Sequence, residues 1–339
     1  MSKKPYPVGK IPAHDLEVIL NRLPPSTHDR LLIGPGIGMD CAILDLGETL
    51  LAVKTDPITF ATENIGLYSV HVNANDIATT GAVPRWFMAT ILLPEGNTDR
   101  AMVEKIFDQI CDACQTLGIT LAGGHTEITA GLKRPIVAGT MLGEVTRGDL
   151  ITPTGIKPGD RILLTKGVPI EAASILACEF PPGASLPANV LAAARNYLHD
   201  PGISVVQDAR CACETGGVTA MHDPTEGGII TGLIELSIAS QIALHIRRNA
   251  IPILPEAAMI CRAAGVNPLE AIASGALLIA AEPGRVSSIR SNLAQCGIPA
   301  VEIGTAVAGQ GVWFVEGENK EAVKLPARDA IARLFESKA

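Results

Sequence analysis

The sequence predicts an α/β fold in two domains, on three observations. Apolar residues make up 47% of the chain and aromatic residues only 3%, which indicates an interior of Ala, Val, Ile and Leu. Strand-like and helix-like patterns alternate along the chain, as they do in α/β proteins. The length of 339 residues usually means two cores, and the stretch ITPTGIKPGD (151–160) is rich in Pro and Gly. We therefore predict an N-terminal domain over 1–150 and a C-terminal domain over 151–339.

In the N-terminal half, short apolar runs predict strands and one segment with helical spacing predicts a helix. The strands are expected at 50–54, 86–93, 119–122 and 135–144, and the helix at 98–117. The stretch VHVNANDIATTG (70–81) is ambiguous, because its apolar and polar residues also alternate as in a half-buried strand. It ends on Gly81 and is followed by Pro84, as helices often are, so we predict a helix. Such a helix would place Asn73 and Asp76 on one face.

The C-terminal half again alternates between the two patterns. We expect strands at 161–165, 275–281 and 301–305, and helices at 170–179, 187–199, 229–240 and 326–337.

Charge and composition argue against several classes of partner. The formal net charge is -8 and no block of Lys and Arg is present, so no nucleic-acid partner is expected. No apolar run reaches the roughly 18–20 residues that span a bilayer, and the opening residues lack the apolar core of a signal peptide. We therefore expect no membrane partner and a cytoplasmic location. The eight cysteines are too sparse for a disulfide scaffold and are expected to be reduced thiols.

Four of these cysteines leave a zinc site open as an alternative. Cys111 and Cys114 have the spacing of metal ligands, and Cys211 and Cys213 could complete a four-thiolate set. Cys111 and Cys114 fall in the helix predicted at 98–117, however, and structural zinc pairs more often lie in tight loops. The simpler interpretation is that they are small helix residues.

Several polar side chains stand at the edges of predicted core elements. Asp40 follows the Gly-rich turn GPGIG and precedes an apolar strand, Asp56 ends the strand in VKTDPITF, and Asp76 lies in NANDIA. His125 and Glu127 follow a strand and two glycines in AGGHTE. Taken singly, each is a typical cap or turn residue, or a member of a buried hydrogen-bond network. Taken together, they offer the oxygen ligands that Mg²⁺ prefers beside phosphate groups. P-loop and protein-kinase motifs are absent from the sequence.

Five motifs in order carry a resemblance to a known family. They are GMDCA (38–42), KTDPI (54–58), NANDIATTGAVP (73–84), AGGHTE (122–127) and HDPTEGG (222–228). This set resembles the aminoimidazole ribonucleotide (AIR) synthetase superfamily, which has the PurM-like fold and includes HypE, thiamine-monophosphate kinase and selenophosphate synthetase. The resemblance spans residues 34–281 and is strongest to HypE-like, AIR-synthase-related proteins. It implies a homodimer whose N-terminal domains complete a β-barrel across the interface, with ATP bound in a cleft between subunits.

The resemblance also implies roles for individual residues. Asp40, Asp56 and Asp76 would hold Mg²⁺ on ATP. The catalytic group would comprise Asp76, His125, Glu127 and Glu171. The cofactor-binding residues would be Asp40, Asp56, Asn73, Asn75, Gly123, Gly124, Asp223, Glu226, Gly227 and Gly228.

Three departures from the family narrow the expected activity. HypE proteins end in a cysteine that carries a carbamoyl group, whereas this chain ends ARLFESKA and its last cysteine is Cys296. Selenophosphate synthetases use a reactive Cys or selenocysteine near a Lys, and the matching stretch YPVGKIPAHD offers Lys10 without a thiol. AIR synthetase has a His-containing turn where this chain reads KGVPIEAASILA (166–177), and Glu171 is expected to serve there.

Two hypotheses follow from these motifs. The first is an ATP- and Mg²⁺-dependent enzyme that phosphorylates an oxygen of a small amide, carboxylate or thioamide, with a thiamine-monophosphate-type kinase as the enzymatic alternative. The second is a non-catalytic nucleotide-binding accessory protein that acts through a metalloenzyme maturation partner.

Overall fold

Two β-sheets with flanking helices make up the protein. The computed structural model describes residues 6, 8–24, 28–59, 61–179, 186–332 and 334. The first half contains α1 (Ala13–Leu20), β1 (Leu31–Ile33), β2 (Ala42–Asp45), β3 (Leu50–Ile58), α2 (Ile65–Thr79), β4 (Val83–Pro94), α3 (Arg100–Leu117), β5 (Thr120–Thr129) and β6 (Ile136–Val145).

The first sheet has the strand order β1-β2-β3-β6-β4-β5. Its strands pair antiparallel except for β4 and β5, which are parallel because the helix α3 connects them. Helices α2 and α3 pack on one face, where Phe87 and Ile91 of β4 are buried. The alternate residues of β4 point to the other face, where Trp86 is 37% and Met88 41% exposed. This sheet therefore has one covered face and one open apolar face.

Helix α3 is defined at both ends by its sequence. The Asp99 carboxylate caps the first turn by accepting a hydrogen bond from the Met102 N–H at 2.8 Å, and Gly118 ends the helix in the left-handed conformation. Residues Ile106 and Ile110 are buried at helical spacing. The predicted helix at 98–117 is confirmed.

The stretch 70–81 belongs to α2, and the helix prediction is confirmed. Among the described residues α2 is almost completely buried, between β3 and β6 on one side and helix α6 (Val206–Cys213) of the second half on another. A helix buried on all sides has no polar face, which is why its apolar periodicity was ambiguous. Its polar residues Asn73, Asn75 and Asp76 are each at most 2% exposed and need partners inside the protein.

The second half contains β7 (Arg161–Thr165), α4 (Ile170–Glu179), α5 (Ala188–Asn196), α6 (Val206–Cys213), β8 (Val218–His222), α7 (Gly228–Ser240), β9 (Ala243–Ile246), α8 (Pro255–Ala264), β10 (Leu278–Ala281), α9 (Val286–Gln295), β11 (Ala300–Val307), β12 (Val312–Glu316) and β13 (Asn319–Ala322). The strand order is β13-β12-β9-β11-β7-β10-β8. Helix α7 packs on one face of this sheet, and α6 and α9 pack on the other. Helices α4, α5 and α8 pack in the same hydrophobic core as α2 and the first sheet.

Three element predictions differ from the structure. Strand β5 continues through the glycines to Thr129, so His125 and Glu127 lie within a strand and not after one. Strand β3 likewise continues to Ile58, so Asp56 is a mid-strand residue. The helix expected at 326–337 is not formed over 326–331, where the chain makes bends and turns; Ala332 and Leu334 are helical, while 333 and 335–337 lie outside the described residues.

The two sheets are separated by the segment 146–160. The first ends at Val145 and the second begins at Arg161, and the boundary predicted between residues 150 and 151 stays a prediction. Over the residues that the structure describes, no helix combines the length and apolar character needed to cross a membrane.

Candidate functional site

Three carboxylates meet where the two halves of the chain touch. Asp40 precedes β2, Asp76 lies near the end of α2, and Asp223 directly follows β8. One oxygen from each lies within 4.8 Å of the others, and they are the single such group of potential metal ligands among the described residues. Both sheets therefore contribute to this group, which we call the acidic cluster.

Lys54 neutralises part of the acidic cluster. Its Nζ lies 2.9 Å from Asp76 Oδ2 and 3.6 Å from Asp56 Oδ2. Burial lowers the pKa of Lys54, but Asp76 and Asp56 outweigh it and hold that pKa well above its ordinary value. Asp56 was predicted as a metal ligand, yet it is not in the acidic cluster, because Lys54 stands between it and Asp76. Asp56 on a metal stays a prediction that requires Lys54 to move.

His222 links the acidic cluster to helix α7. Its Nδ1 is 2.8 Å from Asp40 Oδ2, and its Nε2 is 3.0 Å from Glu235 Oε2. Burial alone would lower the pKa of His222, but these two carboxylates raise it well above its ordinary value. His222 in turn holds the pKa of Asp40 below its ordinary value against the effect of burial. The imidazole thus fixes the orientation of Asp40.

Burial disfavours the charged form of the other two carboxylates of the acidic cluster, Asp76 and Asp223. Burial, opposed by Lys54 and assisted by Asp40, raises the pKa of Asp76 to about 6. Burial, followed by the charges of Asp76 and Asp40, raises the pKa of Asp223 well above its ordinary value. Among the described residues, no N–H or O–H group donates to either oxygen of Asp223, which is 1% exposed. A buried carboxylate without donors is stabilised by a bound cation, and three carboxylates are a donor set that suits Mg²⁺.

The two asparagines predicted to line the nucleotide pocket bind backbone groups instead. Asn75 donates from Nδ2 to Ile203 O at 2.9 Å and accepts from the Val205 N–H at 2.8 Å, so it joins α2 to the second half. Asn73 donates to the backbone oxygens of Asp56 and Ser69. These contacts match the alternative of a buried hydrogen-bond network. A nucleotide contact by either amide stays a prediction.

The HDPTEGG loop is held from both ends of the chain. The Lys10 N–H donates to Glu226 Oε2 at 3.0 Å, and the Gly227 N–H donates to Asp329 Oδ2 at 2.6 Å. The Gly228 N–H donates to Thr225 O, so neither glycine amide is available in this arrangement. Phosphate binding by Gly227 would require Asp329 to withdraw.

The predicted residues on β5 lie apart from the acidic cluster. His125 Nε2 is 3.1 Å from Glu127 Oε2, and both side chains are more than half exposed. This hydrogen bond to His125 lowers the pKa of Glu127. Gly124 allows β4 to approach, because a Cβ there would collide with the backbone oxygen of Ala89. Gly124 therefore lets β5 pair closely with β4 at the exposed edge of the sheet.

Glu171 occupies a second buried position between the halves. It lies in the first turn of α4, 3% exposed, at a cavity of about 40 Å³ that Ser274 and Asp56 also line. Burial, only partly opposed by Ser274, raises the pKa of Glu171 to about 8. It is therefore a neutral acid near pH 7, outside the acidic cluster.

The cysteines do not form the zinc site considered above. The structure pairs Cys211 with Cys296 in a disulfide, which corrects the expectation that all thiols are free. Cys111 and Cys114 lie on α3, and no cysteine belongs to a potential metal group among the described residues. Burial raises the pKa of Cys114 to about 11, so it stays a neutral thiol.

Four residues of the site were missed from the sequence. Lys54 and His222 stand inside the quoted motifs, and Lys54 could have been found because it shares a strand face with Asp56 two residues on. Glu235 lies on α7, the helix that begins at the last glycine of HDPTEGG, whereas Asp329 is distant in sequence from every motif, and no local pattern marks either of them.

Two family models match successive parts of this chain. "AIR synthase related protein, N-terminal domain" matches residues 38–145, and "AIR synthase related protein, C-terminal domain" matches residues 157–315. Among curated relatives, the carbamoyl dehydratase HypE of Cupriavidus necator is 30% identical over 228 residues, covering 66% of this chain and 61% of the relative's own length. A putative hydrogenase expression/formation protein of Methanocaldococcus jannaschii is 27% identical over 259 residues, covering 73% and 74%.

Solved structures share the fold at low identity. A hydrogenase maturation protein HypE in complex with ATP superimposes with a TM-score of 0.70 at 22% identity, covering 95% of this chain and 98% of that one. Thiamine monophosphate kinase from Aquifex aeolicus gives 0.66 at 18% identity, covering 83% and 92%. The two-sheet architecture is therefore the PurM-like fold, and the chain belongs to the AIR synthase related family.

Proposed function

We propose that this protein is an ATP- and Mg²⁺-dependent enzyme that activates an oxygen of a small amide, carboxylate or thioamide by phosphorylation. The observation that carries the proposal is the acidic cluster, in which Asp40, Asp76 and Asp223 converge from both halves beside Lys54. The relatives support it, since one is named a carbamoyl dehydratase and one structural neighbour is described with ATP.

The metal would be held by Asp40, Asp76 and Asp223. Mg²⁺ bound there supplies positive charge for the phosphate oxygens of ATP and for charge that develops during transfer. His222 and Glu235 keep Asp40 in position, and Lys54 offsets the repulsion between the carboxylates. Lys10 lies beside the HDPTEGG loop, with Nζ 3.2 Å from Thr225 Oγ1, and adds a cation at the mouth of the site. Positioning and electrostatics of this kind require no protein nucleophile.

We also propose that the protein acts as a homodimer whose N-terminal sheets form a β-barrel together. Strand β5 is a ten-residue edge strand, which natural proteins usually cover. The open face beside it carries Trp86 and Met88, and Ile128 on β5 is 62% exposed. A second copy about a two-fold axis would cover the edge and the face, and would bring His125 and Glu127 to a shared cleft.

Two alternatives remain within the same proposal. The likeness to thiamine monophosphate kinase favours a small-molecule kinase as the second activity. The hydrogenase-related names of the relatives support an accessory role with a maturation partner. A cytoplasmic location is proposed from the composition alone.

Turnover separates the enzyme from an accessory protein. We expect wild-type protein with Mg²⁺ to release phosphate from ATP, and pools of small amides or carboxylates to stimulate the release. Asp76→Asn should lower the rate at least about tenfold, whereas Asp112→Asn, at an exposed position on α3, should not. A protein that binds Mg-ATP but releases no phosphate with any pool would favour the accessory role.

A further inference from the structure

A groove in the second half of the chain lies between helix α9 and strand β11. Its volume is about 740 Å³, which is in the range of sites that take small molecules, roughly 300–1,000 Å³. The charged groups of its lining are Arg161 of β7, Arg290 of α9 and Glu302 of β11. We call it the arginine groove.

The arginine groove lies at the opposite end of the second sheet from the acidic cluster. Strands β7 and β8 both pair with β10, and Ala281 of β10 is in register with Arg161 on one side and with Val218 on the other. His222, which binds Asp40 of the acidic cluster, ends the five-residue strand that begins at Val218. At roughly 3.3 Å per residue, the two ends of that strand are about 13 Å apart. The groove and the acidic cluster are therefore separate places in the fold.

Three arginines surround the single acid among the lining residues of the groove. Glu302 Oε1 lies 3.9 Å from Arg161 Nη1 and 3.6 Å from Arg247 Nη2, so two guanidinium groups share one carboxylate. Arg290 donates from Nε to Ala300 O at 3.1 Å, and no carboxylate of the described residues forms an ion pair with it. The groove thus carries excess positive charge on a chain whose net charge is -8, and this local charge attracts an anion.

Hydroxyl groups and apolar side chains complete the lining. Ser287, Arg290 and Ser291 are three and four residues apart on α9, so the helix presents them together to the groove. A phosphate monoester offers three terminal oxygens and up to two negative charges, whereas a carboxylate offers two oxygens and one charge. The guanidinium and hydroxyl donors therefore match a phosphate better than a carboxylate. Val286 and Val301 line the same groove and suit an organic group attached to the phosphate.

We propose that the arginine groove is a second binding site and that it takes a small organic phosphate monoester without a metal ion. The phosphate oxygens accept from the guanidinium groups of Arg161 and Arg290 and from the hydroxyls of Ser287 and Ser291. The acidic cluster differs, because its three carboxylates repel a phosphate unless a cation is bound between them. The inference goes beyond the proposed function, since it involves none of the residues proposed to bind Mg-ATP.

Binding of small probes to the full-length protein tests this site. The protein is freed of divalent metal ions by dialysis, and n-butyl phosphate and butyrate are titrated at low salt by saturation-transfer difference NMR. Inorganic phosphate, which has no organic group, is measured as a competitor of n-butyl phosphate. We expect n-butyl phosphate to bind at least about tenfold more tightly than butyrate and about threefold more tightly than inorganic phosphate.

Three results would overturn the proposal. Absence of n-butyl phosphate binding would remove the site, and butyrate binding of equal strength would remove the preference for phosphate. Inorganic phosphate that binds as tightly as n-butyl phosphate would show that the groove takes a free ion and no organic ligand.

Variants show whether the probe lies in the groove. Arg290→Gln and Arg161→Gln should each weaken n-butyl phosphate at least about tenfold. Glu302→Gln should strengthen it at least about threefold, because the substitution removes the single acid of the lining. Arg262→Gln, at an exposed arginine on α8, is the matched control and should change the affinity less than about twofold. Unchanged affinity in Arg290→Gln would refute the site even if Arg161→Gln fails to fold, and weaker binding in Glu302→Gln would contradict the charge argument.

A parallel calorimetric titration with Mg-ATP keeps the two proposals distinguishable. Arg290→Gln should bind Mg-ATP as wild type does, and loss of that binding would show that the groove is not a separate site. Absence of Mg-ATP binding in the wild-type protein counts against the proposed function, whatever the probes do. Failure of n-butyl phosphate in protein that binds Mg-ATP counts against the arginine groove alone.

Discussion

The acidic cluster and the His125–Glu127 pair carry similar chemistry in opposite surroundings. In the acidic cluster, Asp76 and Asp223 are buried, Lys54 and His222 neutralise part of the charge, and both halves of one chain contribute. His125 and Glu127 lie exposed on an edge strand and bond mainly to each other. The comparison teaches that one chain alone brings the acidic cluster together in a buried environment, whereas the β5 residues acquire such an environment only if a second chain covers them.

The largest expected effect concerns that second chain. Trp86→Glu places a charge on the open sheet face, so it should weaken the dimer at least about 100-fold, or roughly 2.7 kcal/mol. Light scattering at low micromolar concentration would then give a monomer near 35.4 kDa where wild type gives twice that mass. Leu46→Glu, at an apolar residue that is 54% exposed and off this face, is the control. A wild-type monomer would remove the shared cleft from the proposal.

The next effect tests how the two halves are joined around the acidic cluster. Asn75→Ala leaves the Val205 N–H and the Ile203 oxygen without their partner, so it should lower the free energy of unfolding by about 2–3 kcal/mol. Urea denaturation followed by circular dichroism measures it, with Asn319→Ala at an exposed strand residue as the control. A loss below about 0.5 kcal/mol would show that Asn75 is not a structural clamp.

How far these features follow from the sequence depends on how local their causes are. Helix α3 was predictable because Asp99, Gly118 and its apolar spacing are all contiguous in the chain. Asp40 and Asp76 were recognised from motifs. The acidic cluster contains Asp223 where Asp56 was predicted, and this difference depends on where the Lys54 side chain points. The extension of β5 through two glycines was missed because only pairing with β4 stabilises it, and pairing between strands is not a local property.

A further effect, of at most about 1.4 kcal/mol per pH unit, follows from the pH dependence of stability. The pKa of Glu171 is 4.5 ordinarily and about 8 in the folded protein. Below pH 4.5 the carboxyl is protonated in both states, and between these values only the unfolded chain ionises, so the free energy of unfolding falls as pH rises. Above about pH 8 both states are ionised and the difference stops growing.

Glu171→Gln cannot ionise and should escape this loss. Relative to the variant, wild type should lose at most about 1.4 kcal/mol per pH unit within that window. Urea titrations at a series of pH values from mildly acidic to mildly basic measure the difference. Parallel pH profiles for the two proteins would mean that folding does not raise the pKa of Glu171.

The central claim is that Asp40, Asp76 and Asp223 form the Mg-ATP site, and calorimetric titration of Asp223→Asn tests it most directly. Asp223 is the proposed ligand to whose oxygens no N–H or O–H of the described residues donates, and Asn at this position keeps a group that can donate a hydrogen bond to Asp76 as the protonated Asp223 carboxyl does. We expect wild type and the exposed control Asp112→Asn to bind Mg-ATP equally, and Asp223→Asn to bind at least about tenfold more weakly, or roughly 1.4 kcal/mol. Wild-type affinity in a folded Asp223→Asn protein would contradict the account.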